Sequence, residues 1–206
     1  MELLVNEVLD LWFGDWTDDE PVPEGGAPQM TLWWGKDAQV DAMLRDRFGD
    51  HAAMALAGAY DHWCEDPVSV VALVLLLDQI PRNIHRGSAA AFASDAKARA
   101  VCKGAIAAGL DHRTPFAYRY FLYMPLMHSE SLTDHELAMR KFSQLVTEAA
   151  HYDSHRVDHY RSALEYERRH KAIIERFGRY PHRNAVLGRT STPEELAFLE
   201  QPGSAF

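Results

Sequence analysis

The sequence predicts an all-α fold in one compact domain over residues 1–206. Apolar residues recur at helical spacing along most of the chain, and the strict alternation typical of half-buried strands does not recur. Glycine, proline and capping residues separate the periodic segments at intervals that suit helices. With 47% hydrophobic and 11% aromatic residues, the chain has enough apolar surface for a single core.

The first part of the chain predicts three helices and a loop. An apolar stripe over residues 4–12 predicts a helix that Gly14 ends. Residues 17–28 are polar and rich in proline and glycine, which indicates a mobile surface loop. Two further helices are expected over residues 37–48 and 50–63.

The most apolar helix is expected in the middle of the chain. Asp66 is a suitable N-cap, and Pro67 follows it at the first helical position. The apolar run over residues 70–77 is eight residues long, and a bilayer span needs about 20, so we expect a buried helix and no membrane span. Pro81 disfavours helical geometry at Ile80, which predicts that the helix ends there.

The second half continues the helical pattern. Apolar spacing predicts helices over residues 98–106, 138–149 and 154–177. Pro125 is expected to interrupt a helix that precedes the one over residues 138–149. Residues 192–195 form a capping box with proline in its first turn, which predicts a final short helix.

Composition argues against several classes of partner and compartment. A protein with a net charge of −9 is not expected to bind nucleic acid, because phosphates are bound by many lysine and arginine side chains spread over a surface. Cys64 and Cys102 lack the spacing of a metal knuckle or a disulfide framework, so we expect reduced core cysteines and a cytoplasmic protein. No basic leader precedes an apolar stretch at the N-terminus, so no signal peptide is expected.

Arginine is concentrated in two segments that echo each other around Pro81 and Pro181. We name them the first arginine segment, residues 78–86, and the second arginine segment, residues 176–189. Together they hold six arginines, no lysine and one carboxylate, a formal charge of +5 in a protein of net charge −9. Because a guanidinium offers a fixed fork of donors, this pattern points to recognition of carboxylate or phosphate oxygens, or to a buried hydrogen-bond network.

The first arginine segment has two interpretations. Asp78 is expected in the last turn of a helix, where the helix dipole disfavours an anion and a cation partner is needed. In the structural interpretation, Asp78 and Gln79 hold the turn together by pairing with the arginines. In the functional one, Arg82, Asn83 and Arg86 contact a ligand at a helix end. Both remain open, because Asp78 does not use up both arginines.

The second arginine segment follows a histidine on an apolar helix face. His170 lies on that face and is either a core histidine or a functional one. His182 lies between Arg179 and Arg183, and nearby cations lower the pKa of an imidazole. The neutral ring could then act as a general base or a hydrogen-bond acceptor, although a structural role is equally compatible.

A third candidate site lies where residues 124–130 leave a helix. His128, Ser129 and Glu130 are adjacent, and adjacent residues point in different directions, so they form no catalytic triad by themselves. Glu130 could be the counter-charge of the arginines, and His128 a second proton-transfer group. The alternative is a capping and hydrogen-bonding loop.

We predict neither a metal nor a cofactor. His151, His155 and His159 have the His-x3-His spacing that can bind zinc or nickel, but a third type of ligand is missing and their neighbours are typical of a solvated surface. The sequence contains no glycine-rich phosphate loop and no dinucleotide fingerprint.

Several long motifs resemble a bacterial family catalogued as domain of unknown function 924. They are residues 9–14, 33–37, 76–83, 92–98, 121–130 and 176–189. The resemblance implies a tetratricopeptide-like array of antiparallel helix pairs, and it implies no activity, because none is assigned to the family. Ile80 and Tyr180 stand where phenylalanine is usual and His85 where tyrosine is usual, so these three are not expected to make specific contacts.

The polar residues of these motifs suit a common pocket better than a packing role, which would use apolar types. They are Asp78, Gln79, Arg82, Asn83, Arg86, Asp95, His128, Glu130, His170, Arg179, His182, Arg183, Asn184 and Arg189.

The leading functional hypothesis is a pocket that binds a small anionic molecule. The arginines would supply charge-assisted hydrogen bonds, and His182, His128 and Glu130 would carry acid–base chemistry if the protein is an enzyme. The alternative is a helical scaffold that binds a partner peptide in a groove, with the polar segments only locking helix ends together. Arginines fully paired to Asp78, Asp95 and Glu130, together with an open apolar groove, would favour the scaffold.

Overall fold

Helices dominate the computed structural model, which describes residues 2–18, 22–152 and 154–204. Within these ranges there is no strand, which confirms the all-α prediction. The tetratricopeptide-like pairing of the helices stays a prediction. The helices are α1 (Leu3–Phe13), α2 (Pro28–Trp34), α3 (Ala38–Ala57), α4 (Ser69–Val74), α5 (Ile80–Ile84), α6 (Asp95–Ala107), α7 (Phe116–Met127), α8 (Leu132–Tyr152), α9 (Ser154–Phe177) and α10 (Pro193–Leu199).

The centre of the core is the apolar run predicted to be buried. Residues 70–77 have no solvent exposure, because α4 packs against α1, α6 and α7. Asp66 begins this region as predicted, its Oδ1 accepting from the backbone N–H groups of Val68 at 3.0 Å and Ser69 at 2.8 Å. A helix surrounded by other helices must be apolar on every side, which explains the unbroken run.

Pro81 does not end this helix, contrary to the prediction. The chain passes from α4 through a π-helical segment, Leu75–Gln79, into α5, and Ile80 keeps helical angles of φ −58° and ψ −43°. Pro81 has no N–H to donate to the carbonyl of Leu77, four residues earlier. The hydroxyl of Ser94 donates to that carbonyl instead, at 2.5 Å. A wider π turn and an outside donor therefore allow the helix to continue through the proline.

Two other boundaries differ from the prediction. Residues 37–63 form one long helix, α3, and a 3-10 segment, Asp61–Glu65, rather than two helices. Pro125 does not interrupt α7: it removes one N–H donor from the last turn, and the helix continues through it to Met127 and ends there. The capping box at Thr192 is confirmed: its hydroxyl accepts from Glu195 N–H, and the Glu195 carboxylate accepts from Thr192 N–H.

The loop predicted over residues 17–28 is anchored on both sides of residues 19–21, which lie outside the described residues. Asp18 accepts from the backbone N–H groups of Phe116 and Ala117 at 2.9 and 2.7 Å, and thereby caps α7. Val22 is buried. Among the described helices, none has the length and apolar character needed to cross a bilayer.

Candidate functional site

The two arginine segments meet at a single carboxylate, Asp95, the first residue of α6. Arg82 donates to one of its oxygens at 2.9 Å, and Arg183 donates to the other at 3.2 Å. Their side chains are only 19% and 7% exposed. Residues a hundred positions apart are thus held together by charge-assisted hydrogen bonds that are largely shielded from water.

Asp78 is the second carboxylate of this cluster and is fully buried. Its two oxygens lie 2.8 and 2.9 Å from Nδ1 of His128, and they also accept from Arg82 at 3.1 Å and from Gln79 at 2.5 Å. Burial alone would raise the pKa of Asp78, but His128 and Arg82 outweigh it and hold the pKa well below its usual range. Asp78 therefore has the cation partner that was predicted, although it lies in the π-helical segment and not at a helix end.

His128 ends α7 and lies against this cluster. Burial, followed by the charge of Arg82, lowers the pKa of its imidazole, although Asp78 acts in the opposite direction. Its backbone carbonyl accepts from Nη1 of Arg183 at 3.0 Å. His128 therefore contacts Asp78 of the first arginine segment through its ring and Arg183 of the second through its backbone.

Arg183 is the most enclosed of the clustered arginines. Its guanidinium carbon lies 4.7 Å from the centroid of the Phe92 ring and 4.4 Å from that of Tyr180, and the guanidinium of Arg82 lies 5.4 Å from the same Phe92 ring. Burial and the neighbouring charge of Arg82 lower the pKa of Arg183 to about 10.

His182 and His170 lie beside the Tyr180 ring, with centroid distances of 5.4 and 5.8 Å. Burial, then Arg183 and Arg82, lowers the pKa of His182 to about 4. Burial lowers the pKa of His170 to about 3, and its Nδ1 donates to the carbonyl of Tyr166 at 2.8 Å. The predicted direction for His182 is confirmed, although burial contributes more than the neighbouring arginines.

Glu130 fixes the second arginine segment to the end of α7. Its carboxylate receives two bonds from Arg189, at 2.6 and 2.9 Å, and one from the backbone N–H of Tyr180 at 2.8 Å. Burial raises the pKa of Glu130, but the bonds from Arg189 and Tyr180 lower it overall. Both oxygens are therefore engaged, as expected of a counter-charge.

Four further predicted ligand-binding residues, like His170 and Arg189, bond to groups outside the Asp78–Asp95 cluster. Arg86 forms two 2.9 Å bonds with Asp41, and Arg179 binds Glu195 at 2.6 and 2.8 Å. The amide of Asn83 donates to Leu32 O at 3.3 Å, and that of Asn184 donates to Ser191 at 3.0 Å and Glu195 at 3.3 Å. These contacts join helices and cap α10.

Two residues of the site are not among those predicted from the sequence. Phe92, which contacts both clustered guanidiniums, lies in one of the shared motifs, but an apolar side chain gives no signal of a polar site. Tyr180 is not expected to make specific contacts, yet it is fully buried and its hydroxyl donates to Met127 O at 2.5 Å. Its position between two arginines in the segment was the available signal.

Two surface depressions lie elsewhere. One, of about 450 Å³, is lined by Thr147, Glu148, Ala150 and His151. The other, of about 390 Å³, is lined by Arg169, Ala172, Ile173, Arg176, Phe177, Phe198, Pro202 and Gly203. No residue of the Asp78–Asp95 cluster lines either depression.

The histidine series on α8 and α9 does not have the predicted solvated character throughout. His159 is partly buried beside the rings of Trp16, Tyr120 and Tyr160, and the side chain of His155 lies outside the described residues. Within the part of the chain that the structure describes, no group of three or more histidine, cysteine or acidic side chains could hold a metal ion.

Comparison with known proteins places the chain in a family. No curated protein matches it. The solved "Structure of Protein of Unknown Function ATU0120 from Agrobacterium tumefaciens" is similar, with 34% identity and a TM-score of 0.74 over 96% of this chain and 97% of that one. The sequence model of the family described as "Bacterial protein of unknown function (DUF924)" matches residues 8–203. The chain therefore belongs to this bacterial family of unknown function.

Proposed function

We propose that the protein binds a small anionic molecule between Arg82 and Arg183. The observation that carries the proposal is the sharing of one carboxylate, Asp95, by two enclosed guanidiniums. Asp95 gives each of them one oxygen, and burial followed by the charge of Arg82 lowers the pKa of Arg183 to about 10. A bound anion would accept from the guanidinium N–H groups that Asp95 and Asp78 leave without an acceptor.

Free donors remain on both guanidiniums. Nη1 of Arg82 and Nη2 of Arg183 make no hydrogen bond to any described residue, and the Nε atoms of both are buried without a partner in the same set. A buried donor without a partner costs about 1–3 kcal/mol, so an acceptor at this position would be favoured. The limited exposure of these side chains suits a small carboxylate or phosphate group rather than a large ligand.

Thermal unfolding in the presence of anions tests this proposal. At matched ionic strength, phosphate or acetate should raise the Tm of the wild-type protein relative to chloride, because a ligand at 100 times its Kd stabilises by about 2.7 kcal/mol. Arg183→Lys, which keeps the charge but loses the planar fork, should abolish the shift. Arg179→Lys is the matched control, because Arg179 is bound to Glu195 and not to Asp95.

Two outcomes would overturn the anion site. One is the absence of any shift across a panel of carboxylates and phosphates. The other is a shift of equal size in Arg183→Lys and wild type.

We propose a partner-binding scaffold as the second candidate, because two observations favour it. Arg82, Arg183 and Arg189 pair with Asp78, Asp95 and Glu130, as a structural role requires. In addition, the depression beside α10 is lined by apolar side chains such as Ile173 and Phe198, together with Arg169 and Arg176. A peptide with an apolar C-terminal residue is its expected occupant. Phe198→Glu should abolish capture of such a peptide, whereas Arg183→Lys should leave it unchanged.

A further inference from the structure

The orientation of the His128 ring indicates which class of anion the proposed site would bind. Both oxygens of Asp78 lie within 2.9 Å of Nδ1 of His128. The same carboxylate accepts from Arg82 and Gln79, so it is an ionised acceptor and has no proton to donate. The proton of this contact therefore belongs to Nδ1 of His128.

The other nitrogen of that ring is consequently an acceptor in the neutral imidazole. A neutral histidine with its proton on Nδ1 has a lone pair on Nε2. Nε2 of His128 makes no hydrogen bond to any described residue, and the side chain is 13% exposed. The lowered pKa of His128 agrees with a neutral ring at pH 7.

This acceptor belongs to the same polar cluster as the donors of the anion site. Oδ1 of Asp78 accepts from Nη2 of Arg82 and from Nδ1 of His128, so one oxygen atom links the guanidinium to the imidazole. Arg183 donates to the backbone carbonyl of His128. The imidazole and both guanidiniums are therefore parts of one hydrogen-bonded network.

We propose that the site selects small hydroxy acids, in which the anionic group binds Arg82 and Arg183 and a neighbouring hydroxyl donates to Nε2 of His128. This inference rests on the proposed anion site. In this Asp78–His128 dyad, Nε2 of His128 accepts a hydrogen bond from the ligand hydroxyl, and Asp78 is the positioning residue that fixes the tautomer of the ring.

Matched ligand pairs test the selection. Binding of glycolate against acetate, and of lactate against propionate, is measured by NMR titration of wild type and His128→Asn. Asparagine keeps a donor for Asp78 but lacks an atom equivalent to Nε2, so the fold should survive. The wild type should prefer each hydroxy acid about tenfold, the gain of roughly one hydrogen bond. His128→Asn should bind both members of a pair equally.

Long-range ¹H–¹⁵N spectra of the ligand-free protein test the dyad separately. They should show the Nδ1–H tautomer of His128 in wild type and a loss of that single tautomer in Asp78→Asn, because an amide can accept from or donate to the ring. A proton on Nε2 would overturn the dyad. Equal binding of glycolate and acetate by wild type would overturn the selection but keep the anion site, whereas no binding of any of the four ligands would overturn both.

Discussion

The hydroxyl of Ser94 replaces the helical hydrogen bond that Pro81 cannot make, by donating to the carbonyl of Leu77 at 2.5 Å. Ser94 is buried and lies directly before α6, whose first residue is Asp95. The bond therefore links the π-helical segment that presents Asp78 to the start of the helix that presents Asp95. The π-helical segment and the polar cluster therefore depend on the same hydrogen bond, from Ser94 to Leu77.

Ser94→Ala should destabilise the protein by about 1–3 kcal/mol, because the buried carbonyl of Leu77 would lose its donor. Urea unfolding measures the change. Ser162→Ala is the matched control, because its hydroxyl also donates to a backbone carbonyl, that of Asp158, but on an exposed helix face. That substitution should alter stability by less than about 0.5 kcal/mol. Equal effects at the two serines would contradict this account of Pro81.

Asp95→Asn should lower the free energy of unfolding by about 3 kcal/mol, because it removes the shared counter-charge of two enclosed guanidiniums. The exposed pair between Arg176 and Glu194 supplies the control, with side chains 46% and 64% exposed. Glu194→Gln should cost at most about 1 kcal/mol. Chemical unfolding at two salt concentrations measures both variants. A loss at Asp95 no larger than at Glu194 would show that the cluster is not an integral part of the fold.

Tyr180→Phe should lower the free energy of unfolding by about 1–3 kcal/mol, because a buried carbonyl would lose its donor. The hydroxyl donates to Met127 O and lies 3.2 Å from Nε2 of His135, and both are buried. Phenylalanine would keep the ring packing against Arg183 but leave that carbonyl without its donor. Thermal unfolding of wild type and Tyr180→Phe measures the difference in stability. Unchanged stability would mean that the Tyr180 hydroxyl does not contribute to it.

The regular parts of the fold could be predicted because their signals are local. Gly14 ends α1, Asp66 begins the buried helix and the capping box at Thr192 begins α10, and each depends on residues within about four positions. The continuation of the helix through Pro81 could not be predicted, because the group that replaces the missing N–H is not local. The donor to the carbonyl of Leu77 is Ser94, 17 positions away. No pattern around the proline contains that information.

The sequence could predict part of the polar cluster, but not which side chains pair with each other. Charge concentration and shared motifs pointed to Arg82 and Arg183, and the structure brings both to Asp95. Arg86 lies in the same arginine segment as Arg82, but it binds Asp41, which no sequence feature indicated. Which carboxylate receives which arginine is decided by helix packing, so equivalent arginines in one sequence segment have different partners.

Acid should destabilise the folded protein through His159, whose pKa burial lowers to about 4 from an ordinary 6.5. Above pH 7 the ring is neutral in both states and contributes no pH dependence. As the pH falls below 6.5, the unfolded chain takes up a proton that the folded chain excludes, so stability decreases until the pH reaches about 4. At pH 5 the expected cost is about 2 kcal/mol.

His159→Phe should remove this cost while keeping an aromatic ring beside Trp16 and Tyr120. The difference in unfolding free energy between variant and wild type should therefore move in favour of the variant by about 2 kcal/mol between pH 7 and pH 5. His85→Phe is the control, because this histidine is exposed. Urea unfolding at both pH values measures the four free energies. Parallel pH dependence of wild type and His159→Phe would show that this imidazole is protonated within the folded protein, and that water reaches it past the surrounding rings.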